Sequence, residues 1–116
     1  MKLAILVVLA LAACGKKKVE PVVVRASCQA SPSVCEEYES VDTKYVARQK
    51  SACTGVGTWA ETPCNTANLV GSCREVHGWT RTRHYYRGIE GQPNPAVDKA
   101  KVECGAYGTW VEPATP

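Results

Sequence analysis

The chain has 116 residues, room for one small domain, and carries 14 Lys+Arg against 11 Asp+Glu, a formal +3. So slight a charge argues neither for nor against nucleic acid. With no Phe among 116 residues, a purely apolar core is excluded as the only source of stability.

The chain opens on "MKLAILVVLALAAC", where Lys2 makes a short positive region and Leu3 to Ala13 an uninterrupted apolar run. This is the architecture of a secretory signal over residues 1–13, too short for a spanning helix, which needs roughly 20 apolar residues. Its last residues, Leu11-Ala12-Ala13-Cys14, resemble the lipobox of bacterial lipoproteins. The resemblance implies that the Cys14 thiol is diacylated and that cleavage makes Cys14 the first mature residue, its new amino terminus acylated in turn. Each buried methylene contributes about 0.8 kcal/mol, so two or three chains give a durable membrane anchor. Gly15, where an Asp favours inner-membrane retention in enterobacteria, points to the outer membrane. Residues 14–21 read as a tether, kept wet by Lys16, Lys17 and Lys18 and within reach of anionic headgroups.

The domain then occupies 22–116. "VVVRASC" (22–28) is an apolar, strand-like run ending in Ser-Cys. Val34, Tyr38, Val41, Tyr45, Arg48/Gln49 and Ala52 recur at 3–4 spacing and predict a helix over 34–53. Ser33 with Glu36 has the pattern of its capping box, and Glu36, Glu37 and Glu39 would face the positive end of its dipole. "GTW" then opens a strand over 56–61. "NLVGSC" (68–73) repeats the strand ending in Ser-Cys, and His77-Gly78 predicts a hairpin between strands 69–76 and 79–87. Asn94-Pro95 begins a shorter helix, about 95–104, and a second "GTW" opens a strand over 107–112. Gly57 and Gly108 suit a bulge or a close backbone approach.

Cys-x-x-x-Gly-Thr-Trp therefore occurs twice, at 53–59 and 104–110. Strand–helix–Cys–strand is the expected unit, duplicated over about 22–64 and 65–116, with a β-hairpin added in the second copy. The fold class that follows is a small α+β, disulfide-rich domain. Six cysteines remain beside Cys14, an even number in an exported chain, and so imply three disulfides among 15 pairings. Copies that pair alike give Cys28–Cys53 and Cys73–Cys104, leaving Cys35 to Cys64. The spacings do not suit zinc. The "CxxxGTW", "LVGSC" and Tyr85-Tyr86 segments resemble Cys-rich segments of exported proteins and lipoproteins of myxobacteria and related bacteria. This resemblance, over 53–110, implies a scaffold and no activity.

Alternation over "WTRTRHYYR" puts Trp79, Arg81, Arg83, Tyr85 and Arg87 on one face, and Thr80, Thr82, His84 and Tyr86 on the other. The first set is the candidate site for an anionic glycan or lipopolysaccharide; its plain counterpart is a solvated face whose Arg stems cover the aromatics. His77 and His84 fall on opposite strand faces and make no metal pair. No cofactor motif is present, and no phosphate loop, Gly-x-Ser-x-Gly or His-Glu-x-x-His. Glu61 and Glu112, at matching positions, raise a glycoside-hydrolase carboxylate pair. The expected function is a lipid-anchored envelope protein with a non-enzymatic binding or structural role, with no nucleic-acid partner. The alternatives are a small inhibitor or effector acting on another protein and, third, an envelope glycan-active enzyme.

Lipidation is directly testable. Cys14→Ser should leave an uncleaved precursor that incorporates no palmitate; a mutant processed and partitioned into detergent like the parent would overturn the lipobox reading.

Overall fold

The computed structural model describes residues 22–88 and 96–114. Among them, six strands form one fully antiparallel sheet in the order β3-β1-β2-β5-β4-β6. In chain order the elements are β1 (Val24–Ser31), β2 (Val34–Ser40), α1 (Thr43–Cys53), β3 (Thr58–Ala60), β4 (Leu69–Val76), β5 (Thr80–Tyr86), α2 (Val97–Cys104) and β6 (Thr109–Val111). Helix α1 packs on β1, β2 and β3, while α2 packs on β4 and β6. No helix among the described residues is long and apolar enough to cross a membrane.

The predicted helix over 34–53 is corrected at its first half. Val34–Ser40 is a central strand, and the helix begins only at Thr43. Val34 and Tyr38 are four residues apart, a spacing that satisfies a strand's period of two as well as a helix's 3.6. Beyond them, the Asp42 carboxylate accepts from the Lys44 and Tyr45 backbone N–H groups at 2.9 and 3.4 Å, a true N-cap. Ser33 and Glu36 therefore form no capping box. Instead a two-residue Pro32-Ser33 turn joins β1 to β2, and the hairpin expected only in the second copy exists in both. The second helix starts near its expected place, at Val97; Asn94 and Pro95 lie outside the described residues.

Each half thus runs hairpin, helix, short strand, and the two halves agree in register. Cys28 pairs across the ladder with Trp59, and Cys73 with Trp110. After each helix the chain closes with the same hydrogen bond: Gly57 N–H donates to Cys53 O at 2.9 Å, and Gly108 N–H to Cys104 O at 2.7 Å. Disulfides join Cys28–Cys53, Cys73–Cys104 and Cys35–Cys64, the pairing that the repeat implies. The first two tie the last helical residue of each half to its first strand.

The core is small and sulfur-rich. Ala26, Cys28, Tyr38, Tyr45, Val46 and Cys53 form one buried cluster under α1, with Trp59 and Trp79 packed against it. Cys35, Cys64 and Tyr86 form a second, with Leu69 beside them. Tyr38 stacks on Trp59 (5.8 Å between centroids), and its counterpart Tyr85 tilts on Trp110 at 5.7 Å. Gly71 makes the second contact feasible, because a Cβ there would overlap the Trp110 ring.

The glycines of the repeated motif are the test of this shared geometry. A Cβ on Gly57 would lie 2.6 Å from Gln29 O, and one on Gly108 2.6 Å from Arg74 O, both backbone atoms. Gly57→Ala and Gly108→Ala should each cost roughly 1–3 kcal/mol in guanidinium unfolding with disulfides intact. Gly105→Ala, at a helical φ of −58° with its nearest neighbour 3.4 Å away, should change little.

Candidate functional site

The two faces of the sheet differ. The face under the helices carries the predicted Arg–aromatic set, and there the arginines are already occupied. Arg81 Nη2 donates to Glu75 Oε2 at 2.6 Å, and Arg83 Nη1 to Glu36 Oε1 at 3.3 Å. Arg83 also lies over the Tyr85 ring at 5.9 Å, and Trp79 stacks on Tyr45 at 4.9 Å with planes 10° apart. The structure thus brings Trp79, Arg81, Arg83 and Tyr85 onto one face as alternation requires, but spends their charges and rings on internal contacts. Tyr38 adds its hydroxyl to Glu36 at 2.5 Å; burial, then this bond, raise its pKa well above that of an ordinary tyrosine. Arg87 lies beyond β5, where it lines a groove with residues of the opposite face.

Among the described residues, the other face carries no helix. Over its β1–β2 part lies the segment 61–68, pinned by Cys35–Cys64, by the Cys64 N–H bonded to Glu37 Oε1 at 3.0 Å, and by Tyr86 Oη donating to Asn65 O at 2.6 Å. Over its β4–β5 part a groove of about 770 Å³ remains open. Ser72 and His84 form its floor, with Arg74, Arg87, Asn68 and Thr82 around them.

Beneath that floor runs a hydrogen-bonded relay. Ser72 and His84 are cross-strand partners, Ser72 Oγ lies 2.7 Å from His84 Nδ1, and His84 Nε2 lies 3.3 Å from Glu37 Oε1. Ser72 and His84 are only 6 % and 8 % exposed. The bond from His84 holds the Glu37 carboxyl below the usual carboxylate range, helped by the Cys64 N–H and opposed by burial. Serine, imidazole and carboxylate in that order can relay a proton. However, Ser72 sits mid-strand, paired with His84 on one side and Val111 on the other, where backbone amides serve the ladder rather than a developing oxyanion.

Two other chemistries are weakened by the same geometry. Glu37, Cys64 and His84 place ligand atoms within 4.8 Å of one another, but the Cys64 sulfur is bonded to Cys35 and is no thiolate. Glu61 and Glu112 follow β3 and β6, the opposite edges of the sheet, five strand spacings or about 24 Å apart. Glycosidase carboxylates stand about 5–9.5 Å apart. Each glutamate instead meets a lysine of its own half, Lys50–Glu61 at 3.5 Å and Lys101–Glu112 at 2.6 Å.

Sequence reasoning placed His84 on the face opposite the arginines, where the structure has it, but missed Glu37 as its partner by assigning Glu37 to a helix. The alternation in "VCEEYES" was the signal: Cys35, Glu37 and Glu39 share one face, and Val34, Glu36 and Tyr38 the other. Compared with protein-family models, curated proteins and solved structures, the chain matches none.

The relay has a pH signature. The free Glu37 carboxyl titrates near 4.5, and its folded pKa is lower. Its contribution is therefore complete above the unfolded value and is lost as pH falls through the folded one. Glu37→Gln should cost about 1–3 kcal/mol at neutral pH and flatten the acid limb of stability below about pH 4.5. An unchanged acid limb in urea unfolding from pH 7 to 2 would show that Glu37 is not coupled to folding.

Proposed function

We propose that the chain is a lipid-anchored protein of the bacterial envelope, held through Cys14 at the outer membrane, whose domain binds a ligand without transforming it. Its two halves are read as degenerate copies of one hairpin–helix–strand unit. The signal and lipobox pattern support the address. One observation carries the binding role: the groove on the helix-free face, whose volume of about 770 Å³ falls in the range of small-molecule sites. Its lining mixes apolar Leu69, Val111 and Pro113 with the polar Thr66, Asn68 and Thr82, as such sites do. The groove belongs to the second half alone, because in the first half the segment around Cys64 covers the corresponding surface. The occupied state of Arg81 and Arg83 moves the anionic-ligand expectation away from the helix face.

Soluble glycan fragments released from bacterial envelopes should raise the melting temperature of the mature lipoprotein in neutral detergent. A Thr82→Trp variant, whose indole fills the groove, should lose that shift while keeping its three disulfides. An equal shift in Thr82→Trp would place binding elsewhere, and the absence of any shift in the parent would end the binding reading.

A further inference from the structure

Hydrogen-bond polarity in the groove specifies more than its volume does. Arg25, Arg81, Arg83, Lys50 and Lys101 all have carboxylate partners. Arg74 and Arg87 have none among the described residues, and both line this groove. Two carboxylates at the groove are already engaged: Glu112 by Lys101 at 2.6 Å, and Glu37, below the floor, by His84 and the Cys64 N–H. Two arginines without a carboxylate partner among the described residues therefore line one groove, and guanidinium suits carboxylate or phosphate.

The relay adds an opposite requirement. An ionised carboxylate only accepts hydrogen bonds, so in the neutral imidazole the Nε2 N–H must point at Glu37. That leaves Nδ1 as a bare acceptor, which Ser72 satisfies with its single O–H at 2.7 Å. The Ser72 oxygen then has only lone pairs left to offer. At the floor of the groove it asks for a donor, while the arginines ask for an anion. An oxyanion without a hydroxyl, such as sulfate, satisfies the arginines and not Ser72; a neutral saccharide does the reverse.

We propose, resting on the groove as the binding site, that it recognises an acidic saccharide: its carboxylate or phosphate sits on Arg74 and Arg87, and a ring hydroxyl donates to Ser72. Asn68, Thr66 and Thr82, which both donate and accept, take further hydroxyls. His84 and Glu37 are positioning residues that set the direction of the Ser72 O–H.

The test is calorimetric titration of the mature full-length lipoprotein in neutral-detergent micelles with four probes: trigalacturonate, glucose 1-phosphate, maltotriose and inorganic sulfate. At least one acidic sugar should bind tenfold or more tightly than both maltotriose and inorganic sulfate, and the two acidic probes tell carboxylate from phosphate. Its affinity should fall when salt rises from 0.05 to about 0.3 M, since exposed charges are screened over about 8 Å at physiological ionic strength. Arg74→Ala and Arg87→Ala should each cost fivefold or more, Ser72→Ala should erase the preference for sugar over inorganic sulfate, and Arg48→Ala should do nothing. Arg48 is exposed on α1, away from the groove, and controls for lost charge alone. Should an Ala variant fail to fold, Arg74→Gln and Arg87→Gln keep the stem and carry the same expectation. Maltotriose bound as tightly as the acidic sugars, with silent arginine variants, would overturn this inference and leave the groove a binding site. Failure of all three sugars overturns it too, and the Thr82→Trp melting experiment then decides independently whether the groove binds anything.

Discussion

Everything in this domain hangs on a disulfide at the last residue of each helix. Helices α1 and α2 have 11 and 8 residues, too short to be stable in water without tertiary help, which usually takes 12–15 even in Ala-rich peptides. Neither offers much apolar surface: α1 buries only Tyr45, Val46 and Cys53, and α2 only Ala100 and Cys104. Cys53 and Cys104 fix the helix ends to Cys28 and Cys73. Closing 25 and 31 residues should contribute roughly 3–4 kcal/mol each in the chain-entropy model. All six half-cystines are buried, so the bridges serve as core as well as staple.

The halves so formed meet along β2 and β5, and that seam is built from opposites. Matching the halves through Cys28 and Cys73 makes Glu36 the equivalent of Arg83, since each faces the half's own first cysteine. The same two residues face each other across the seam. On the other side of the sheet, Glu37 and His84 are equivalents and bond each other at 3.3 Å. Like charges directly opposed in a sheet are destabilising, so two identical halves would have repelled here. An acid in one half and a base in the other turns that liability into two contacts, one on each face. Tyr45 of α1 stacking on Trp79 of the second hairpin adds an aromatic clasp across the same seam.

This explains what was legible in the sequence. The repeat of Cys-x-x-x-Gly-Thr-Trp depends on local geometry, a turn after a helix and a backbone too close for a Cβ, and its spacing announced both the strands and the disulfide pairing. The His77-Gly78 turn was equally local: Gly78 takes φ +70°, which Gly adopts without penalty. The seam was not local. Glu36, Glu37 and Glu39 look like a helix's first turn because their partners, Arg83, His84 and Arg25, come from other strands. Alternation in "VCEEYES" allowed a strand, but the partners that hold it as one lie in β1 and β5, outside any window around residue 36. The partner of Arg83 was hidden for the same reason, since Glu36 comes from β2, 47 residues away.

The third disulfide breaks the symmetry and leaves one half of the helix-free face covered and the other grooved. Cys35–Cys64 has no equivalent in the repeat; Cys35 corresponds in register to Thr82, a groove-lining residue. Where the first half has a bridge and a covering segment, the second therefore has a hydroxyl and open space. The bridge also brings the Cys64 N–H onto Glu37, which steadies the carboxylate that orients His84 and, through it, Ser72. Covering one half thus sets the hydrogen-bond polarity of the other. Two like halves thus differ on this face because a single extra crosslink covers the first and brings a backbone N–H to the carboxylate that orients His84 in the second.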